Sequence, residues 1–140
     1  MDEHAQAISR VCEEAVARLA RDLPEREVSF LSRRDDLLTH LAHHGRLRLI
    51  YEVPRELGGI TWRAATTGAV QVVPEVAADG DYVASDDAVR SEIAAPVRAG
   101  GQVVGVLDVE FTGELVDGDA ELVSSAAQQL GDKLEPFYVS

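Results

Sequence analysis

The chain has 140 residues, enough for one domain of ordinary size that buries roughly two-thirds of its unfolded surface. Hydrophobic residues make up 46% and charged residues 27%, a balance that fits a globular fold and argues against long disorder. Thirteen basic residues against twenty-five acidic ones leave a net charge of −12, which repels phosphate backbones and anionic membranes and excludes nucleic acid and membrane as natural partners.

Residues 2–22 carry Ile8, Val11, Cys12, Ala15 and Leu19 at helical spacing, with Glu13 and Glu14 on the other side. Pro24 closes this helix, because proline disfavours helical geometry in the residue before it. Val28 to Ser32 then reads as a strand, followed by polar Arg33-Arg34-Asp35-Asp36. Leu37 to His44 is ambiguous: an aspartate cap and Gly45 would frame a helix, yet the same residues suit a strand. Leu47, Leu49, Tyr51 and Val53 alternate strictly, which predicts an edge strand over 46–53.

Gly58-Gly59 interrupts the chain before a short helix from Ile60 to Thr67, stopped by Gly68. Val70 to Val73 is a brief strand, and 77–88 is an acidic loop. The strongest strand signals follow, roughly Ser91–Arg98 and Gln102–Phe111, joined by Gly100-Gly101, which can take the positive backbone angles a tight hairpin needs. Asp117 and Asp119 open a last amphipathic helix through Leu122, Val123, Ala126, Ala127, Leu130 and Leu134, which Pro136 is expected to end. The expected organisation is one α+β domain over 1–140, with a helix at each end (2–22 and 117–135) and the sheet and its loops over 27–111. No apolar run approaches a membrane span, and Met1-Asp2-Glu3-His4 lacks the basic start of a signal peptide, so a cytoplasmic location is expected.

Three acids interrupt the apolar hairpin: Glu92, Asp108 and Glu110. Strand residues two apart share a face, so Asp108 and Glu110 point the same way. A carboxylate buried alone is costly, so that face must meet water, a ligand or a cavity. The blander alternative makes Glu92 a backbone-bonded structural group and Glu110 a wet rim residue.

Arg90-Ser91-Glu92-Ile93, Pro96-Val97 and Val104 to Glu110, with Gly59-Ile60, Ala64-Ala65, Thr67-Gly68 and Val72 to Val76, resemble a GAF domain over roughly residues 27–135. Within that superfamily the pattern is similar to the free methionine-R-sulfoxide reductases. The resemblance implies a PAS/profilin-like central antiparallel sheet of five or six strands, with the terminal helices on one face and a loop-walled pocket on the other. It requires 37–44 to be a strand, and it places pocket loops at 36–46 and 77–90. It also implies a homodimer built on the terminal helices, and an amino-acid-like or cationic ligand held by Glu92, Asp108 and Glu110.

The catalytic cysteine of those reductases falls at Ser85, and their other redox cysteines fall near Thr61 and Ile50. The one cysteine of this chain, Cys12, lies outside the matching region and reads as a small hydrophobe. Sulfoxide reduction needs a thiolate that becomes sulfenic acid and is resolved by a second thiol, and serine does neither. The expectation is a non-catalytic, small-molecule-binding sensory module without cofactor or metal. The alternatives are a divergent reductase-like enzyme, a hydrolase around Ser85, or a purely structural dimerisation domain.

Ser85 reads as a hydrogen-bonding loop residue at the site, and Trp62, Tyr82 and Tyr51 as candidate pocket walls, with core packing the plainer role for Trp62. His40, His43 and His44 suit metal ligation only on a helix; on a regular strand His40 and His44 face one way and His43 the other. Arg90 is expected to pair with Asp86 or Asp87 and pin the lid loop.

Overall fold

The computed structural model describes residues 2–138. In chain order these form α1 (Glu3–Asp22), β1 (Glu27–Arg34), β2 (Leu37–His44), β3 (Glu52–Pro54), α2 (Ile60–Thr67), β4 (Gln71–Val73), β5 (Ser91–Ala99), β6 (Gln102–Phe111) and α3 (Asp119–Tyr138). The strands make one antiparallel sheet in the order β3-β2-β1-β6-β5-β4. The expected α+β architecture is present, with six strands.

Asp2 caps α1 by accepting a hydrogen bond from the Ala5 amide (2.7 Å), satisfying one of the donors a helix start leaves open. The stripe of Cys12, Val16, Leu19 and Ala20 is buried against one face of the sheet, where α3 contributes Val123, Ala127, Leu130 and Leu134. At Gly131 a Cβ would run into the Arg98 carbonyl, so glycine lets α3 lie directly on β5. Pro136 does not end α3, which continues to Tyr138. Helix α2 lies on the opposite face, over β5 and β6, with Trp62, Ala64 and Ala65 in a second, smaller core.

The ambiguous 37–44 segment is a strand: its pairing with β1 and β3 outweighs local helix propensity. It carries a bulge. Phe30 pairs with Ala42 but Leu31 pairs with His40, so Leu41 has no partner. Since Ser29 pairs with His43, and Ser29 and Leu31 are two apart, the bulge puts His40 and His43 on one face and His44 on the other. The expected pairing of His40 with His44 is therefore corrected by one inserted residue.

The edge strand expected over 46–53 shrinks to Glu52–Pro54. Side-chain oxygens capture the amides that a ladder would have used. The Glu27 carboxylate accepts from the Arg46 and Leu47 amides (3.0 and 2.9 Å), and Asp86 accepts from Arg48 (3.0 Å). Residues 45–51 thus become a loop over the sheet, and the pocket wall expected at 36–46 comes instead from this loop.

Candidate functional site

The α2 side of the sheet holds a cavity whose floor is the β5–β6 hairpin. Glu92 pairs with Glu110 across the hairpin and Asp108 with Ala94, so all three acids rise from one face. Their carboxylate oxygens come within 4.8 Å of one another. Glu92 is 4% and Asp108 6% exposed. The cavity has ≈ 50 Å³ that the centres of water molecules can reach, inside an envelope of ≈ 460 Å³ that runs out to solvent.

Around the acids stand Leu31 and His40 from the sheet, Leu49, Ile50 and Val53, the Gly58–Thr61 entry to α2, and Tyr82, Val83 and Ser85 from the long loop. No arginine or lysine is among these lining residues. The hydroxyl of Tyr82 is buried without a hydrogen-bond partner among the described residues, and Asp108 Oδ1 is buried with no N–H or hydroxyl donor among them, the Asp108 carboxyl being bonded to that of Glu92. Such groups in a native fold call for an explanation, because an unpaired buried polar atom costs about 1–3 kcal/mol.

Burial and mutual repulsion push the acids up. Asp108 is held well above the usual carboxylate range, first by burial and then by the charge of Glu92. Glu92 is raised by burial, and Glu110 is raised to about 8 by burial and by Glu92. The Tyr82 hydroxyl is raised as well, by burial and then by Glu110. Glu92 and Asp108 sit close enough to share a proton, so near neutral pH the three acids act as one coupled group.

The long loop is pinned from two sides. Arg63 on α2 grips Asp79 with two hydrogen bonds (2.9 and 2.8 Å) and reaches Asp81 at 3.0 Å. That pairing holds Asp79 below the usual carboxylate range. Asp86 ties the long loop to the 45–51 loop through the Arg48 amide. Arg90 does not take part: it pairs with Glu75 and Glu114 (3.3 and 3.2 Å), outside the lid, which corrects the expected contact with Asp86 or Asp87.

Of the seven expected site residues, the fold brings Glu92, Asp108, Glu110, Ser85 and Tyr82 to one cavity. Two are corrected. Trp62 is 2% exposed and donates from Nε1 to the Val53 carbonyl (2.7 Å), with Arg33 and Arg55 over its ring, so it packs beneath α2 while Ile60 and Thr61 face the cavity. Tyr51 is 63% exposed, because the strand that was to aim it inward is a loop; Leu49 and Ile50 line the cavity instead. His40 was missed as a wall residue. His43 bonds Ser29 Oγ (2.8 Å) and stands 3.4 Å from Glu27, and burial holds both histidines below their ordinary value.

A family model described as the GAF domain matches residues 7–134. This chain belongs to the GAF domain family. Its fold is similar to a type II free methionine-R-sulfoxide reductase from Thermoplasma acidophilum, with 21% identity, 98% of this chain and 99% of that one covered, and a TM-score of 0.86. It is also similar to residues 122 to 287 of a methyl-accepting chemotaxis protein, with 18% identity, 93% and 90% covered, and a TM-score of 0.78. Among curated proteins, Protein YtsP of Bacillus subtilis (strain 168) is 38% identical over 52 residues; the match spans 37% of this chain and about a third (32%) of that protein. Ser85, where the reductase resemblance puts the catalytic cysteine, and Ile50 and Thr61, near which it puts the other two, all line this cavity.

Proposed function

We propose that this GAF domain is a non-catalytic module that binds a small cationic or zwitterionic molecule, of amino-acid size, in the acidic cavity. One observation carries the reading: three clustered acids floor a cavity whose lining contains no arginine or lysine. A ligand ammonium would donate to these carboxylates, and charge-assisted bonds of this kind are about twice as strong as neutral ones. The apolar lining of Leu31, Ile50, Val53 and Ile60 suits an aliphatic body attached to that ammonium.

The cysteine pattern supports binding over turnover. Cys12 is buried in the core on the helix side of the sheet, across the sheet from the cavity, and burial raises its thiol to about 12. Ser85 cannot take its place, since sulfur redox chemistry is closed to a hydroxyl. Occupation of the cavity would tighten the 45–51 and 77–90 loops, and the signal would pass to a partner or a second copy. The partly buried Ala15, Leu122 and Ala126 border a groove between α1 and α3 that would serve a homodimer.

Calorimetric titration of the purified chain with free amino acids, methionine-R-sulfoxide and organic cations tests the reading. Saturable binding without consumption of sulfoxide under a thiol reductant is expected. Reductant-coupled turnover would overturn it, and so would the absence of binding across the panel.

A further inference from the structure

Resting on the ligand reading for what the wall would meet, we propose that Ser29, His43 and Glu27 form a positioning network that sets the 45–51 wall of the cavity. The β-bulge makes this network. Counted from the turn at Asp35-Asp36, a regular ladder would place Ala42 opposite Ser29 and His43 opposite Val28, on the helix face. The inserted residue instead brings His43 opposite Ser29, on the face that Ser29 shares with Asp108, its partner on β6. Bulges are used in this way to re-aim a side chain.

The contacts run outward from the sheet to the wall. Buried Ser29 bonds His43 Nδ1 at 2.8 Å, and His43 Nε2 stands 3.4 Å from Glu27 Oε1. An ionised carboxylate only accepts, so a neutral ring that serves both neighbours carries its proton on Nε2 and accepts from the Ser29 hydroxyl at Nδ1. At 3.4 Å the contact to Glu27 is weaker than an ordinary hydrogen bond, so His43 steers the carboxylate and does not hold it alone. Glu27 passes the orientation on: Oε1 accepts from the Leu47 amide and Oε2 from the Arg46 amide. A Cβ at Gly45 would run into that carboxylate, so glycine lets the chain wrap closely round it. Leu49 and Ile50 of the same loop line the cavity. Arg48 has its amide held by Asp86 and lies outside the network.

The test uses nuclear magnetic resonance of the full chain with no ligand present. Above neutral pH, long-range proton–nitrogen spectra should show His43 protonated on Nε2. His43→Ala should speed amide hydrogen exchange at Arg46 and Leu47 by about two- to fivefold, the lower range for one net hydrogen bond. Arg48 should be unchanged, and the Leu49 and Ile50 methyl signals should shift. His43→Gln, with a donor for Glu27 and an acceptor for Ser29, should restore the parent rates. Glu27→Ala should act more strongly, and adding His43→Ala to it should change nothing further, because the effect passes through Glu27. A His43 protonated on Nδ1, unaltered exchange in His43→Ala, equal acceleration at Arg48, a His43→Gln chain as fast as His43→Ala, or a double variant faster than Glu27→Ala overturns the proposal. Should His43→Ala fail to fold, Ser29→Ala decides by the same readings, with acceleration at Arg46 and Leu47 expected. None of these readings needs a ligand, so a chain that binds nothing sinks the ligand reading alone, and unaltered exchange in a chain that binds sinks the network alone.

Discussion

The two faces of the sheet are built by opposite rules. Toward α1 and α3 the sheet buries apolar side chains, from Val28 and Phe30 to Ile93 and Val109, with Ser91 the polar exception, tied to the Gly113 carbonyl, and even the thiol is spent as packing. Toward α2 and the loops, β5 and β6 bury the carboxylates of Glu92 and Asp108 and hold a half-buried Glu110 beside them. The hairpin of β5 and β6 belongs to both, alternating Ile93 and Val109 on one side with Glu92, Asp108 and Glu110 on the other. One face therefore holds the fold together, and the other draws on that stability to keep a charged cavity.

The sharpest way to break this comparison is to damage each face and ask which property fails. Leu130→Ala, on the helix face, removes fully buried volume and should cost about 2–5 kcal/mol of stability in denaturant melts. In the fraction that stays folded, ligand affinity should be unchanged. A comparable loss of binding would mean that the faces are not separable.

On the cavity face the expected effects reverse. Glu92→Gln and Asp108→Asn should weaken a cationic ligand by about tenfold or more, since a bond to a charged group is worth roughly 1.5–3 kcal/mol. Thermal melting at pH 8 should be unchanged or raised, because each variant removes a buried charge that repels its neighbours. Lower melting with normal binding would assign these acids to structure.

A third measurement sharpens the electrostatic half. Glu110 has its folded value raised from an ordinary 4.5 to about 8, so the folded state holds a proton that the unfolded state gives up. Its contribution is full below about 4.5 and is lost as pH rises through about 8. His40 and His43 act in the opposite sense and only at lower pH, since their folded values lie below the ordinary 6.5. Melting temperature should therefore fall between pH 7 and 8.5, and Glu110→Gln should flatten that slope. An unchanged slope in the variant would refute the assignment.

The smallest effect is expected at the pin of the lid. Arg63→Met removes the grip on Asp79 and Asp81, which are partly solvated, so stability should drop by less than about 1 kcal/mol. Ligand dissociation should quicken severalfold in stopped-flow as the 77–90 loop loosens.

The sequence was most legible where one rule acted alone. The β5–β6 hairpin declared itself through apolar alternation around Gly100-Gly101, and its three acids pointed to the cavity before any fold was known. It failed where distant side chains intervened. Nothing local in 46–53 says that Glu27 and Asp86 will take its amides, so the alternation that predicted a strand there misplaced Tyr51. The bulge at Leu41 is equally invisible, because it depends on how β1 and β2 align. Trp62, just after Gly59-Ile60, was open to a wall or a core role, and the helix turn it occupies decides for the core by aiming it at Val53. Arg63 went unnoticed because its partners lie sixteen and eighteen residues away.

Cys12 has a use that its burial creates. A thiol raised to about 12 and sealed between α1 and the sheet is inert to maleimide at neutral pH, so the natural chain is already a blank for labelling. A cysteine introduced as Ser85→Cys would stand alone as a reactive group, on the cavity wall and on the loop expected to move. A label attached there would report the mobility of that loop, with no background from Cys12 to subtract.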